Sequence, residues 1–130
     1  MDKMKILFIC TRNTARSIIA EAIFNSLASK WIAESAGIEK ADRVNEKVVD
    51  FLMKRGLKAK EKPRSIEEVN LDDYDLIVTV CEESCIFLPT RRRTVSWYIE
   101  DPVGKSEEVL EKVYSEMMDK IKSLLKELEG

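Results

Sequence analysis

A short, almost wholly apolar run near the start of the chain does most to constrain the fold. Residues 4–9 read MKILFI and are followed by polar residues at 11–13. Such a run is typical of a central strand in a parallel sheet, buried on both faces. From Ser17 onward, apolar residues recur at helical spacing, namely Ile18, Ile19, Ala22, Ile23 and Leu27. The chain is therefore expected to begin as a strand, a tight loop and a helix.

The rest of the chain alternates strand patterns with helix patterns. The predicted elements are a strand at 31–34 that ends at 35–37, a helix between an N-cap at Asn45 and a stop at Gly56, a buried strand at 75–80 with Cys81 at its end, a weaker strand at 94–97 and a long helix at 106–129. This alternation implies right-handed crossovers and a parallel sheet covered on both sides. We expect one α/β domain, residues 1–130, built as a three-layer αβα sandwich.

Several apolar and charged groups have a simple structural interpretation. One predicted helix face carries Val48, Val49, Leu52 and Met53, and the last helix carries a stripe of Val109, Val113, Met117, Ile121, Leu124, Leu125 and Leu128. Trp31 and Trp97 are interpreted as core or edge packing. The run Arg91–Arg93 is interpreted as a solvated connector, with anion steering or partner docking as the alternative.

Composition excludes several classes of function. The chain has 22 Lys and Arg against 24 Asp and Glu, a net charge of -2, so we expect neither nucleic acid nor a membrane surface as a partner. It has no histidine, which excludes imidazole bases and zinc sites built on HExxH. Three cysteines alone fall short of the usual four zinc ligands, so neither a metal nor a cofactor is expected.

The same composition suggests where the protein works. No secretory signal or long apolar segment is evident, so a soluble, cytoplasmic protein is expected. We also expect it to be a monomer. An odd number of cysteines in such a reducing compartment favours reactive thiols over structural disulfides. Abundant Lys and Glu with no Gln favour the hypothesis of a thermophile protein.

The segment between the first strand and the first helix, CTRNTARS, has the features of an oxyanion-binding loop. Ligands of such sheets bind at the carboxyl ends of the strands, where Cys10 lies. Loop amides and the helix N-terminus can cradle a tetrahedral anion, and Arg16 can add a fork of donors. This positive environment also favours a thiolate, which makes Cys10 a candidate nucleophile without a histidine. The predicted oxyanion-binding residues are Thr11, Arg12, Asn13, Thr14, Ala15, Arg16 and Ser17.

Two polar residues of this loop have more specific predicted roles. Ser17 can donate a hydrogen bond to the Cys10 thiolate, and Asn13 can adopt a backbone conformation that few other residues tolerate. The alternative is that Cys10 is a buried thiol at a strand end and that Arg16 and Ser17 form an exposed helix start.

An ordered set of motifs resembles a known family. It comprises CTRNTARS at 10–17, SAGI at 35–38, the strand ending at Cys81, and EDP at 100–102 before the last helix. The chain resembles the low-molecular-weight protein tyrosine phosphatase superfamily, and within it the thiol-cascade arsenate reductases. The resemblance implies a four-stranded parallel sheet of order 2-1-3-4, Cys10 as nucleophile, Arg16 with the loop amides as oxyanion binders, and Asp101 near the leaving oxygen.

The sequence departs from the family pattern at two loop positions. The family usually has glycine where this chain has Arg12, and it often has a second cysteine where this chain has Ala15. The protective loop disulfide of some family phosphatases is therefore impossible here.

The surroundings of the loop favour arsenate over a phosphotyrosine. The family's phosphatases grip a phenyl ring with aromatic residues after the SAG segment and after the Asp-Pro pair, and this chain has EKAD at 39–42 and Val103-Gly104 there. By analogy with the reductases, Cys10 attacks arsenate, Cys81 attacks Cys10 to release arsenite, and Cys85 resolves the product to a Cys81–Cys85 disulfide. A thioredoxin-like partner reduces that disulfide by exchange.

Three interpretations of function therefore stay open. The first is an arsenate reductase using Cys10, Cys81 and Cys85. The second is a phosphatase that hydrolyses phosphomonoesters through a Cys10 phosphoenzyme. The third is a catalytically silent oxyanion-binding module, suggested by the unusual Arg12.

The cysteine spacing and Asp101 each have an alternative explanation. Cys81 and Cys85 are closer in sequence than the usual family pair. On an intact helix, i,i+4 Cβ atoms lie about 5–6 Å apart, whereas a disulfide needs roughly 3.5–4.5 Å. The segment must therefore distort on oxidation, and the alternative is two packed thiols. Asp101 precedes a proline, which favours an extended backbone suited to a projecting acid, and the alternative is a turn residue.

Overall fold

A four-stranded parallel sheet of order β2-β1-β3-β4 forms the centre of the molecule. A computed structural model describes residues 3–39, 41–81, 88 and 90–130. The elements are β1 (Met4–Cys10), α1 (Arg16–Leu27), β2 (Trp31–Gly37), α2 (Glu46–Lys54), β3 (Leu76–Cys81), β4 (Thr94–Tyr98) and α3 (Glu107–Glu129), with 3-10 turns at Ile66–Glu68 and Leu71–Asp73. The predicted fold class and strand order are confirmed.

The register of the sheet brings three strand ends to one edge. β1 pairs with β2 over its whole length, so that Cys10 lies opposite Gly37. On its other side β1 pairs with β3 up to Ile9 opposite Thr79. β2 is longer than predicted, because Ser35, Ala36 and Gly37 continue the ladder beside β1. Pairing with a buried neighbour outweighs the weak strand propensity of these small residues.

Both faces of β1 are buried, as expected for a central strand. Ile6 and Phe8 belong to the larger core cluster, to which α1, α2 and α3 contribute, whereas Leu7 and Ile9 belong to a smaller cluster on the opposite face. Within the described residues, the smaller cluster is completed by Leu88 and by the segment 65–74 with its 3-10 turns. Trp31 and Trp97 are buried in the larger cluster, which confirms their interpretation as packing residues.

The boundaries of α2 and α3 follow from local chemistry. The Asn45 side chain accepts a hydrogen bond from the Val48 N–H at 3.2 Å, so Asn45 is the N-cap that the sequence predicted. Gly56 follows the helix with φ +74°, the left-handed conformation common after a helix end. Ser106 caps α3 in the same way through the Val109 N–H. Within the described part of the chain, no helix is both long and apolar enough to cross a membrane.

Candidate active site

The loop after β1 is shaped by hydrogen bonds to the segment that follows β2. The carbonyl oxygens of Cys10 and Thr11 accept from the amides of Ile38 at 3.0 Å and Glu39 at 2.8 Å, and the Thr14 carbonyl accepts from Asn45 at 3.1 Å. In a trans peptide the N–H points opposite to the C=O. The amides that follow these carbonyls, those of residues 11, 12 and 15, therefore point the other way and can converge on an anion.

The thiol of Cys10 lies at the base of this loop. Cys10 is a free cysteine with only 5% of its surface exposed. Its sulfur lies 2.8 Å from the Ser17 hydroxyl, and the Asn13 side-chain NH₂ donates to the same hydroxyl at 2.8 Å. Because the Ser17 oxygen accepts from Asn13, its single proton is available to the sulfur. The Ser17 hydroxyl can therefore donate a hydrogen bond to the Cys10 sulfur.

Asn13 adopts the left-handed conformation within the loop. Its φ is +57°, the one positive value among the non-glycine residues described, and its side chain is fully buried. Asparagine tolerates this conformation better than most residues, because its short amide can bond to nearby groups. Here the amide bonds to Ser17 through its nitrogen and to the Arg64 N–H through its oxygen, at 3.1 Å.

Arg16 begins α1 and is held by the segment after β4. Its side chain is 93% buried, and its guanidinium donates from Nη1 to the Ile99 carbonyl at 3.0 Å, while Nη2 lies 4.0 Å from Asp101 Oδ2. The Asp101 side chain is 42% exposed, and its Oδ1 accepts from the Val103 N–H at 3.0 Å. Asp101 is thus oriented by a turn and lies beside Arg16. A residue that donates a proton to an oxyanion bound in the loop would need such a position.

Gly37 belongs to the SAGI motif at 35–38, but no role in the site was predicted for it from the sequence. A Cβ at this position would lie 2.6 Å from the Arg12 carbonyl carbon and 2.7 Å from the Asn13 nitrogen. Only glycine therefore lets the loop backbone lie against the end of β2. The signal that could have revealed it is its place in the sequence: it is the glycine that ends β2, the strand paired with the strand of Cys10.

Of the other two cysteines, Cys81 lies within the residues that the structure describes and Cys85 does not. Cys81 is the last residue of β3, opposite Tyr98 of β4. Ile9 of β1 lies opposite Thr79 of β3, so the same register puts Cys10 opposite Val80. Cys81 is one position further along β3. Side chains alternate along a strand, so Cys10 and Cys81 share this edge but face opposite sides of the sheet. Cys85 lies outside the described residues, and so does its predicted bond to Cys81.

An open cavity lies beside the loop. It has a volume of about 630 Å³ and is lined by Arg12, Thr14, Ala41, Asp42, Arg43, Val44, Asn45, Glu46, Lys47, Val103 and Gly104. None of these lining residues is aromatic, so this cavity offers no flat surface for a phenyl ring. Arg12, which lines this cavity, is exposed, and so is Thr11, whereas Ala15 is buried. Within the described ranges, no group of three or more His, Cys, Asp or Glu side chains could hold a metal ion.

A second polar cluster surrounds Ser35 of β2, and two of its ionisable side chains have shifted pKa values. Burial raises the pKa of Glu21, whose carboxylate accepts from the Ser35 hydroxyl at 2.7 Å. Burial also lowers the pKa of Lys60, which donates to the Ser35 carbonyl at 2.9 Å. Neither residue was predicted from the sequence, because their proximity depends on the crossover between β2 and β3.

The fold and the loop together define a class of protein. Residues 5–130 match the family model described as low molecular weight phosphotyrosine protein phosphatase, and the chain belongs to this family.

Similar proteins within this class are named arsenate reductases. The crystal structure of an arsenate reductase from Archaeoglobus fulgidus has 56% sequence identity and a TM-score of 0.91, covering 93% of this chain and 98% of that one. Arsenate reductase 2 of Staphylococcus haemolyticus is 34% identical over 95% of this chain and 97% of its own length. A glutaredoxin arsenate reductase of Synechocystis is 30% identical over 93% of this chain and 95% of its own length.

Proposed function

We propose that this protein reduces arsenate to arsenite through Cys10, Cys81 and Cys85. The observation that carries the proposal is the buried Cys10 thiol, bonded to Ser17 at the base of an anion loop. The similarity to arsenate reductases over nearly the whole chain supports arsenate as the anion. The cavity beside the loop, without aromatic lining residues, suits a small inorganic substrate better than an aryl phosphate.

The first step forms a bond between sulfur and arsenic. Arsenate binds to the loop amides and to the Arg16 guanidinium, which neutralise its charge. The Cys10 thiolate attacks arsenic, and a hydroxyl group of the arsenate leaves as water after accepting a proton from Asp101. Ser17 favours the attacking thiolate by donating to it before the reaction.

The second step transfers two electrons to arsenic. The Cys81 thiolate attacks the Cys10 sulfur, so that a Cys10–Cys81 disulfide forms while the sulfur–arsenic bond breaks. The electron pair of that bond stays on arsenic, which leaves as arsenite. Because strand alternation places the two side chains on opposite faces, the end of β3 must rotate for this attack.

The third step restores the nucleophile. The Cys85 thiolate attacks Cys81 and releases the Cys10 thiolate, leaving a Cys81–Cys85 disulfide. An external dithiol then supplies two electrons and becomes oxidised to a disulfide. We propose a thioredoxin-like protein for this role, with the glutaredoxin system of the Synechocystis relative as the alternative.

Steady-state reduction with each reductant tests this proposal. Reduced protein and arsenate are combined with thioredoxin and its reductase, or with glutaredoxin and glutathione, and arsenite and NADPH consumption are followed. Turnover is expected with thioredoxin and is expected to vanish in Cys10→Ser, Cys81→Ser and Cys85→Ser. Ser26→Ala is the matched control, because Ser26 donates within α1 to Ile23, away from the loop. Full turnover in Cys81→Ser would overturn the proposal.

A phosphatase is the second candidate, and the match of residues 5–130 to the phosphotyrosine phosphatase family model favours it. A phosphatase needs an acid to protonate the leaving oxygen, and the Oδ2 of Asp101 lies 4.0 Å from the guanidinium. A phosphoenzyme at Cys10 does not require the other two cysteines. Turnover of an aryl phosphate that survives Cys81→Ser and Cys85→Ser would therefore support this candidate over the reductase.

A further inference from the structure

Arg64 contacts the active-site loop through its main chain rather than its side chain. Its N–H donates to Asn13 Oδ1 at 3.1 Å, and its carbonyl accepts from the Gly37 N–H at 2.8 Å. Asn13 is the left-handed residue of the loop, and Gly37 is the residue against which the loop packs. The main chain of Arg64 therefore bonds to both residues that set the shape of the loop.

The side chain of Arg64 fixes that main chain in place. Its Nε donates to the Ser35 carbonyl at 3.0 Å, and Nη2 donates to Glu34 Oε1 at 2.6 Å and to the Tyr74 hydroxyl at 3.2 Å. The Tyr74 hydroxyl in turn donates to Glu34 at 2.7 Å. The planar guanidinium can serve all three partners at once, which the single ammonium of lysine cannot do in the same geometry.

The charges of this cluster are complementary at neutral pH. Partial burial opposes ionisation of Glu34, but hydrogen bonds from Arg64 and Tyr74 outweigh it and lower the pKa of this carboxyl. Burial and the adjacent Glu34 raise the pKa of Tyr74 to about 12. The cluster thus holds a carboxylate, a guanidinium and a neutral phenol, each paired with the other two.

The contact with Asn13 determines how the Asn13 amide is oriented. Its oxygen accepts from Arg64, so its NH₂ group must point toward Ser17. If the amide were flipped, its NH₂ would face the Arg64 N–H, donor against donor, and its oxygen would compete for the Ser17 proton. The orientation seen leaves that proton for the Cys10 sulfur.

We propose that Arg64 is a positioning residue for the nucleophile: anchored on Glu34 and Tyr74, it holds the N–H that orients Asn13, and thereby keeps the Ser17 hydroxyl proton directed at the Cys10 sulfur. The proposal rests only on Cys10 being the nucleophile and holds for arsenate and phosphate alike. A purely structural Arg64 would change the stability of the protein without changing the reactivity of Cys10.

Alkylation of Cys10 separates these two roles. The rate at which iodoacetamide alkylates Cys10 is measured by peptide mass between pH 5 and 9, with and without inorganic phosphate as protecting ligand. Arg64→Lys is expected to slow alkylation at pH 7 about three- to tenfold, less than loss of the whole Ser17 hydrogen bond because a misplaced Asn13 weakens that bond without removing it, and to shift the pH profile upward. Protection by phosphate is expected to need a higher phosphate concentration.

Arg55→Lys is the matched control. Arg55 also bonds to a carbonyl and a carboxylate, those of Phe51 and Glu111, but it caps the end of α2 and reaches α3, away from the loop. This variant is expected to lose some stability and keep the normal alkylation profile. An Arg64→Lys protein with reduced melting temperature and an unchanged alkylation rate and pH profile would overturn the proposal.

A milder pair of variants covers the case in which Arg64→Lys does not fold. Tyr74→Phe removes one hydroxyl, and Glu34→Gln removes one charge, while the guanidinium stays. Both are expected to slow alkylation at pH 7, by about two- to fivefold. Unchanged alkylation in both folded variants would contradict the proposal. Because this readout needs no arsenate, failure of arsenate reduction in the unmodified protein is distinguishable from failure of this inference.

Discussion

At the scale of single residues, we expect the reactivity of Cys10 to depend on where the proton of the Ser17 hydroxyl points. The Ser17 hydroxyl accepts from Asn13, so its proton is directed at the sulfur, 2.8 Å away. A hydrogen bond to an ionised group contributes roughly 1.5–3 kcal/mol, which is enough to change the rate at which a thiolate reacts.

Ser17→Ala tests this contribution. The variant is expected to slow the alkylation of Cys10 at neutral pH by about tenfold or more, because the thiolate loses its donor. Stopped-flow alkylation with peptide mapping measures the rate, and Ser26→Ala in the same helix is the control. An equal rate in Ser17→Ala and the unmodified protein would show that Ser17 does not stabilise the thiolate.

Gly37→Ala tests the packing of the loop against β2. The added Cβ would overlap the Arg12 and Asn13 backbone, so the variant is expected to lose roughly 1–3 kcal/mol of stability and most of its phosphate affinity. Gly56→Ala is the control: its φ is +74° and nothing lies within 4 Å of the added carbon. It should lose stability by backbone strain alone and bind phosphate normally. Normal phosphate binding by Gly37→Ala would contradict this account.

The site residues that the sequence revealed are those of one contiguous motif. Cys10, Asn13, Arg16 and Ser17 lie within eight positions, so their proximity follows from the strand–loop–helix pattern. Gly37 and Arg64 could not be found in this way, because the loop reaches them only through the β1–β2 pairing and a crossover. The contacts of Arg64 with the loop are made by its backbone atoms, which leave little trace in residue type.

At the scale of elements, the exact apolar face of a helix was harder to predict than the helix itself. The predicted face of α2 included Met53, but Met53 is 67% exposed and Phe51 is buried instead. The Phe51 ring packs against Tyr114 of α3 at 5.4 Å, which rotates the buried face of α2. Similarly, Leu110 of α3 is buried, whereas the predicted Val109 and Leu128 are only partly covered.

The end of α3 is held to the start of β2 by one carboxylate. Glu129 accepts hydrogen bonds from the backbone N–H groups of Ser29, Lys30 and Trp31. Slight desolvation opposes its ionisation, but these amide bonds outweigh it and lower the pKa of Glu129 below 4.5. The contribution to stability is therefore present above about pH 4.5 and is lost as the pH falls below that value.

Glu129→Gln tests this contact. The variant is expected to melt about 3–6 °C lower at pH 7, and the difference should shrink as the pH falls below 4.5. Glu127→Gln is the control, since its ion pair with Arg93 is exposed and should contribute little. A melting difference that stays constant from pH 7 to pH 3 would exclude this role for the carboxylate.

At the scale of the whole molecule, the strand order could be predicted because alternating patterns and a buried first strand admit few topologies. That topology brings Cys10, Gly37 and Cys81 to one edge. The relative orientation of Cys10 and Cys81 could not be predicted, because it depends on a one-residue offset in register.

We expect the chain to unfold as one domain. A single calorimetric transition, with equal calorimetric and van't Hoff enthalpies, is the expected result. The thermophile hypothesis predicts a melting midpoint above the range of roughly 45–65 °C common for mesophile domains. Two transitions would contradict the single domain, and a midpoint within that range would contradict thermophily.

A single turnover without any partner tests the central claim most directly. Fully reduced protein is mixed with arsenate, arsenite is quantified, and the reaction is quenched with an alkylating agent before disulfides are mapped by peptide mass. The account predicts one arsenite per protein and a Cys81–Cys85 disulfide with Cys10 alkylated. No arsenite and three alkylated cysteines would contradict it.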